Sequence, residues 1–166
     1  MPRDYEALME FLKSGGEDDF EALARQLAHF PHGVDDFLGR RWIINAIDCG
    51  SKASVAWMLV KNVDLAFRDD EGYTPLHCAI DRKADDRYEV LEMLLKVGAP
   101  VNLKGINDWT PAHMAVSRDD AEALKILVGH GADLSIRTEI DDHATPLEEA
   151  RKWRKTVALR YLESVV

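Results

Sequence analysis

Cysteine is scarce in this chain, which has two among its 166 residues, Cys49 and Cys78. Two thiols cannot supply the ligands of a structural zinc site, so a zinc ribbon is excluded. A disulfide between them is possible in principle. A reducing compartment favours the alternative, two free and buried thiols.

Long apolar runs and targeting signals are also lacking. No apolar run approaches the ~18 residues that are needed to span a bilayer. The first six residues, Met-Pro-Arg-Asp-Tyr-Glu, do not show the charged-then-apolar pattern of a secretory leader. We therefore expect a cytoplasmic location and no membrane partner.

Signatures of catalysis are missing as well. The chain contains no H-E-x-x-H, P-loop, G-x-G-x-x-G or G-x-S-x-G pattern. His29 and His32 flank Pro31 without the neighbouring ligands that a metal site needs. The paired aspartates are scattered and lack EF-hand spacing, which favours solvated turns. We predict no catalytic residue, metal or cofactor, with an unrecognised active site as the alternative.

Positive charge is in short supply. The chain has 30 acidic against 21 basic residues and a formal net charge of −9. This balance argues against binding to duplex nucleic acid, where neutralisation of phosphates dominates the affinity. It favours a partner with a neutral or basic surface, although solubility alone also explains it.

What the sequence does contain is a repeat. Residues 74–79 read Thr-Pro-Leu-His-Cys-Ala, residues 110–115 read Thr-Pro-Ala-His-Met-Ala, and residues 145–150 read Thr-Pro-Leu-Glu-Glu-Ala. A worn copy, Arg-Trp-Ile-Ile-Asn-Ala, begins at Arg41, and the four copies are 33, 36 and 35 residues apart. A near-constant period in this range is typical of a solenoid.

Each copy predicts the start of a helix. Threonine is a good N-cap, and the proline after it has no N–H to lose. About 20 residues later the chain has Gly98 and Gly131, or Asn62 in the worn copy, as helix-terminating residues. One unit is therefore a helix, a turn, a second helix and an irregular finger that leads to the next unit.

These motifs and their spacing resemble the ankyrin-repeat family. The resemblance implies an all-α solenoid of stacked helix-turn-helix units with protruding β-hairpin-like fingers. His77 and His113 match the family's structural histidine, which ties adjacent turns by hydrogen bonds. The positions that match the structural motif are Gly72, Thr74, Pro75, His77, Gly98, Thr110, Pro111, His113, Gly131, Thr145 and Pro146.

The period divides the chain into five units. We predict a degenerate N-terminal repeat at 1–35, a worn repeat at 36–69, the best match at 70–104, a further repeat at 105–139 and a C-terminal capping repeat at 140–166. The best match has about three extra residues between its helices, within residues 82–86. Asp108 occupies the position of Gly72, where aspartate tolerates a positive φ less well.

The family's members are binding scaffolds for unrelated partners, so the fold alone does not fix the function. We expect a non-enzymatic, monomeric protein that binds another protein through its finger tips and the exposed face of its first helices. An alternative is a stoichiometric inhibitor or immunity-type protein that neutralises a basic enzyme or toxin.

Arg40, Tyr73 and Trp109 each stand one residue before the motif, so stacking should align them along one edge. These residue types are enriched at interface hot spots, although they could instead pack back on their own fingers. Acidic neighbours could steer a basic partner. The full set of candidate contacts is Arg40, Asp70, Glu71, Tyr73, Asp81, Arg82, Ile106, Asn107, Trp109, Arg118, Asp141, Asp142 and Trp153.

Overall fold

The computed structural model describes residues 4–140 and 143–166. Within these ranges the chain forms ten α-helices: α1 Tyr5–Ser14, α2 Glu17–Gln26, α3 Trp42–Cys49, α4 Lys52–Val60, α5 Pro75–Asp81, α6 Arg87–Lys96, α7 Pro111–Ser117, α8 Ala121–Gly129, α9 Pro146–Lys152 and α10 Thr156–Val165. A single 3₁₀ turn covers Ile106–Asp108.

The helices stack in two layers. The first helices α1, α3, α5, α7 and α9 each pack on the next one along the chain, and the second helices α2, α4, α6, α8 and α10 do the same. Each unit buries its apolar faces against its neighbours, as a solenoid requires. The predicted all-α solenoid is confirmed. The exact boundaries between repeats remain predictions.

Left-handed residues end the second helices and shape the fingers. Asn62, Gly98 and Gly131 have φ values of 56°, 93° and 86°. Gly72 has a φ of 88°, and Asp108 at the equivalent position has a φ of 58°. Aspartate is one of the few residues other than glycine that adopt a left-handed conformation at a single position. This explains why the repeat at 105–139 does not need a glycine at position 108.

The fingers are turns rather than strands. In the described part of the chain the only β pairing is an isolated antiparallel bridge between Val34 and Arg41. A backbone hydrogen bond spans the base of each finger: Asp35 N to Arg40 O (2.8 Å), Asp69 N to Tyr73 O (2.9 Å), Gly105 N to Trp109 O (2.7 Å), and Thr138 N to Ala144 O (3.1 Å). The fingers at residues 35–40, 69–73 and 105–109 are therefore turns rather than β-hairpins.

His77 links its own helix to the next finger. Its Nδ1 lies 2.6 Å from Thr74 Oγ1 and its Nε2 lies 3.1 Å from the carbonyl oxygen of Trp109. His113 repeats this arrangement with Thr110 Oγ1 at 2.8 Å and the carbonyl oxygen of Ala144 at 3.1 Å. Both rings are fully buried. Each of these two histidines therefore attaches the first helix of its own repeat to the finger of the next repeat.

Burial keeps these two imidazoles neutral. It lowers the pKa of His77 and of His113 to about 4, although the bond to the next finger acts in the opposite direction. Each histidine uses both ring nitrogens in contacts within the stack. Neither ring is therefore placed to exchange protons with a substrate.

The two cysteines are both free, but they differ in exposure. Cys78 is buried in α5, and burial raises the pKa of its thiol well above the ordinary value. Cys49 is exposed, so the prediction that both thiols are buried is wrong for it. Cys49 is the last residue of α3, beyond the buried segment that ends at Ile47.

Candidate protein-binding surface

The first finger (residues 35–40), the second finger (residues 69–73) and residues of α3 and α5 line an open groove. Its walls include Arg40 and Tyr73, together with Cys78 at the base. Four carboxylates complete the lining: Asp48, Asp69, Glu71 and Asp81. The structure thus brings together two of the three residues that precede the motif, Arg40 and Tyr73.

Arg40 is held in place by its neighbours. It forms an ion pair with Asp48 on α3 and a hydrogen bond with Tyr5 of the N-terminal unit. Burial lowers the pKa of the Arg40 guanidinium, but the contacts with Asp48 and Tyr5 outweigh it and raise the pKa above its ordinary value. Arg40 is therefore a fixed positive charge at one end of the groove.

Tyr73 is half-buried and projects from the second finger. Its ring packs edge-on against His77, with centroids 6.5 Å apart and planes at 85°. Burial raises the pKa of its phenol, so the hydroxyl stays neutral. The Asp69 carboxylate accepts hydrogen bonds from the backbone N–H groups of Glu71 (3.1 Å) and Tyr73 (2.7 Å). This turn leaves the side chains of Asp70 and Glu71 exposed at the finger tip.

Asp81 and Arg118 form one bidentate ion pair across two repeats. The guanidinium nitrogens of Arg118 lie 2.5 and 2.7 Å from the two carboxylate oxygens of Asp81. The Arg118 side chain is 46% exposed. The pair lies beside Tyr73, since the charges of both residues act on its phenol. Both predicted contacts are therefore accessible, but each is already the other's partner.

Trp109 lies with Trp153 rather than with Tyr73. The two indole rings are 5.8 Å apart between centroids, with planes at 60°. Trp153 is 36% exposed and Trp109 is half-buried. Ile106, in the same finger as Trp109, is half-buried, and Asn107 is exposed at the tip with a φ of 54°. Trp109 thus packs partly against the next repeat, a contact that differs from the alternative interpretation, in which it packs back on its own finger.

Arg82 does not belong to this surface, and its prediction as a partner contact is wrong. It is only 4% exposed. Its guanidinium donates to the carbonyl oxygens of Ile47 and Gly50 at the end of α3, the latter at 2.9 Å, and pairs with Asp86. Arg82 satisfies carbonyl groups that a helix end leaves without intrahelical partners. The predicted contacts Asp141 and Asp142 lie outside the described residues.

Two of the groove carboxylates occupy equivalent positions in consecutive repeats. Asp48 and Asp81 each follow an isoleucine in the first helix of consecutive repeats. Equivalent positions in a stack share a surface, and both carboxylates line the groove. Asp69 was not among the predicted contacts, and its signal is its place at the start of the finger turn that its carboxylate closes.

The groove carries more negative than positive charge. Arg40 is paired with Asp48, and Arg118 is paired with Asp81. No ion pair within residues 4–140 and 143–166 involves Asp69, Asp70 or Glu71. The finger tip is therefore an acidic edge beside the aromatic ring of Tyr73.

The described residues contain no cluster of three or more side chains that could hold a metal ion. In the same part of the chain, every helix is too short or too polar to cross a lipid bilayer.

Comparison with known proteins defines the class. A family model described as ankyrin repeats (3 copies) matches residues 8–105 and 85–164. The chain belongs to the ankyrin-repeat family. Ankyrin repeats generally mediate protein–protein interactions and are generally non-enzymatic.

Several curated proteins are similar to parts of this chain. The RelA-associated inhibitor of Mus musculus is 36% identical over 90 residues, which is 54% of this chain and 10% of that protein. The BCL-6 corepressor-like protein 1 of Homo sapiens is 36% identical over 106 residues, or 63% and 6%. The ankyrin repeat and KH domain-containing protein mask-1 of Caenorhabditis elegans is 32% identical over 114 residues, or 68% and 4%. The chain spans a tenth or less of each of these relatives.

Proposed function

We propose that this protein binds another protein through a finger surface, which we define as Arg40, Asp70, Glu71, Tyr73, Trp109 and Trp153. The observation that carries the proposal is the groove in which Arg40 and Tyr73 meet four carboxylates. Tyrosine, tryptophan and arginine are the residue types that most often dominate binding energy. The exposed tip of Asp70 and Glu71 suits a partner with a basic surface.

The proposal includes the setting in which this binding takes place. We infer a cytoplasmic protein that is monomeric on its own, is no enzyme and does not bind nucleic acid. The net charge of −9 supports the last point, because a phosphate backbone would be repelled. The repeat boundaries at residues 35, 69, 104 and 139 are part of the same proposal.

A pull-down with three purified proteins tests the finger surface. The wild type is compared with Tyr73→Ala/Trp109→Ala and with Val97→Ser, a change at an exposed residue at the end of the second helix α6. Circular dichroism first establishes that each variant is folded. We expect partners to be lost from the double variant and retained by Val97→Ser. Retention of all partners by a folded double variant would rule out the finger surface.

An inhibitory role is the second candidate. It is favoured by the acidic finger tip and by the name of one relative, the RelA-associated inhibitor. Once a partner is identified, its activity is measured while this protein is added to saturation. Loss of activity at a one-to-one ratio supports inhibition, and unchanged activity at saturation leaves a scaffold role alone.

A further inference from the structure

The outer side of α4 differs in chemistry from the same side of the helices that follow it. Aligned on Asn62, Gly98 and Gly131, the α4 residues Ala53, Ala56 and Val60 correspond to Glu89, Glu92 and Lys96 on α6 and to Glu122, Lys125 and Gly129 on α8. Four of these charged positions form intrahelical ion pairs, Glu92 with Lys96 at 2.8 Å and Glu122 with Lys125 at 3.0 Å, and Glu89 pairs with Lys52 of α4. On α4 this stripe is apolar.

The exposure of this stripe shows that the stack itself does not cover it. Val60 is 77% exposed, the highest value among the exposed large apolar residues of the described chain. Ala53 is exposed and Ala56 is half-buried. A helix that is apolar on every side is normally buried on every side. α4 has the composition of such a helix while one of its faces remains open.

The open face forms one wall of a groove between α2 and α4. We define the outer groove as Phe20, Ala53, Ala56, Trp57 and Val60, with Glu17 and Lys61 at its rim, where the Lys61 ammonium lies 4.9 Å from the centre of the Trp57 ring. Phe20 and Trp57 form its floor, with ring centroids 5.7 Å apart. This groove belongs to the second-helix layer, whereas the finger surface belongs to the fingers and the first helices.

The shape of the outer groove suits a helix. The positions 53, 56, 57 and 60 follow the i, i+3, i+4, i+7 spacing of one helical ridge. Ridges of this kind pack into the groove between two neighbouring helices, and small residues shorten the distance between the helix axes. Ala53 and Ala56 are the small residues that would allow a second helix to approach α4 closely, and Val60 provides an apolar contact at one end of the groove.

The negative charge at the rim of the outer groove favours a helix with basic side chains. Glu17 lines the groove, and Asp18 and Asp19 follow it in the exposed first turn of α2. Among the described residues these three carboxylates have no ion-pair partner, although their position also suits the dipole of α2. The nearby cations are engaged, since Lys61 pairs with Glu21 and Lys52 pairs with Glu89.

From these observations we propose that the outer groove binds an amphipathic helix of a partner protein, with an apolar stripe against Trp57 and Val60 and basic side chains beside Glu17 and Asp18. Binding of an amphipathic helix in an apolar groove is an established mode of recognition. The proposed site is separate from the finger surface, so the chain could hold two partners at once.

Fluorescein-labelled peptides of about 20 residues, long enough for helix to form, provide the probe. One peptide carries leucine at i, i+3, i+4 and i+7 and lysine on its flanks. A second replaces its lysines with glutamates. A third has the composition of the first, with the leucine spacing scrambled. Fluorescence anisotropy of each peptide is measured with the full chain, together with the emission of Trp57 and the other tryptophans.

The key variant is Ala53→Glu/Ala56→Glu/Val60→Lys, which gives α4 the charged outer stripe of α6. The substitutions at positions 56 and 60 introduce an i, i+4 ion pair of the kind that stabilises helices, so α4 is expected to stay folded. Circular dichroism verifies this. We expect the lysine peptide to bind the wild type and its Kd to rise by about tenfold or more in the triple variant. Glu17→Lys/Asp18→Lys should weaken it several-fold and reduce the dependence on salt.

Three results would overturn the proposal. The lysine peptide binds the triple variant as tightly as the wild type, or the glutamate or scrambled peptide binds equally well. Alternatively, sedimentation shows a wild-type dimer that the triple variant abolishes, which would assign the groove to a second copy of the chain. Tyr73→Ala/Trp109→Ala should keep full affinity for the peptide, so failure of the finger surface and failure of the outer groove are distinguishable.

Discussion

Arg82 and Arg118 occupy equivalent positions in consecutive repeats, immediately after α5 and α7, yet they act in different ways. The side chain of Arg82 is 2% exposed and holds the end of α3, whereas that of Arg118 is 46% exposed and pairs with Asp81. The backbone explains the divergence. Arg82 is extended with a ψ of 131°, and Arg118 stays near-helical with a ψ of −3°.

The difference follows from the length of the turn between the paired helices. Residues 82–86 separate α5 from α6, and only residues 118–120 separate α7 from α8. The longer turn lets the chain leave α5 in an extended conformation, which directs the Arg82 side chain back to the preceding repeat. An insertion that looks like a tolerated surface loop therefore creates a buried contact between repeats.

Replacing each of these two arginines by methionine should give the largest difference in stability between the two repeats. Arg82→Met leaves the carbonyl oxygens of Ile47 and Gly50 without their donor, whereas that of Ala46 still accepts from the N–H of Gly50 (3.0 Å). We expect the free energy of unfolding to fall by about 4 kcal/mol, because each buried carbonyl oxygen that is left without a donor costs about 1–3 kcal/mol. Arg118→Met removes an exposed pair and should cost about 1 kcal/mol or less. Urea unfolding of both variants measures the two losses, and equal losses would contradict the distinction.

Acid titration tests a feature that the two repeats share, the buried histidine in the first helix. The pKa of His77 and of His113 is lowered from 6.5 to about 4 in the folded chain. Between these values the unfolded chain binds more protons, so stability is highest above pH 6.5 and is lost as the pH falls toward 4. The loss should be roughly 3 kcal/mol per histidine.

Single variants separate the two contributions. His77→Leu and His113→Leu should each reduce the slope of unfolding free energy against pH, measured between pH 5 and 7, by the same amount. The position equivalent to His77 in the worn repeat is Ile44, which cannot titrate. A slope that neither variant changes would show that other groups control the acid response.

A methyl group beside His77 tests how closely the second finger approaches the third. A Cβ atom on Gly105 would lie 2.7 Å from the carbonyl oxygen of Gly72 and 2.8 Å from Cε1 of His77. We expect Gly105→Ala to cost about 2 kcal/mol, since the backbone must shift to make room. At Gly129, the last residue of α8, nothing lies within 4 Å, so Gly129→Ala should be neutral or slightly stabilising in thermal unfolding. Losses at both positions would argue against the close approach.

The smallest expected effect concerns the carboxylates that face the two arginines. The hydrogen bond from Arg82 lowers the pKa of Asp86 and offsets the effect of burial. Asp86→Asn should cost about 1.5 kcal/mol because it weakens a charge-assisted bond to a buried group. Asp81→Asn should cost about 0.5 kcal/mol, since the side chain of Arg118 can turn to water. Chemical denaturation measures the loss of stability in each variant. A larger loss for Asp81→Asn than for Asp86→Asn would contradict the conclusion that Arg82 makes the stronger ion pair.

Much of the fold was predictable from the sequence. The period, the all-α class and the positions of the helix starts follow from Thr-Pro pairs and from glycines that tolerate positive φ. The pairing of Arg40 with Tyr73 on one surface also follows from their equivalent places in the repeat. The burial of Arg82, the exposure of Cys49 and the contact between Trp109 and Trp153 did not follow, because equivalent positions do not guarantee equivalent neighbours.

The repeat can be read from local residues, because each helix start and stop depends on residues within one turn of the chain. Which arginine is buried and which helix face stays open depends on contacts between repeats. The carbonyl groups that hold Arg82 lie 32 to 36 residues away, and the outer groove needs α2 and α4 side by side. Contacts over such separations depend on how the units stack, which no local pattern specifies.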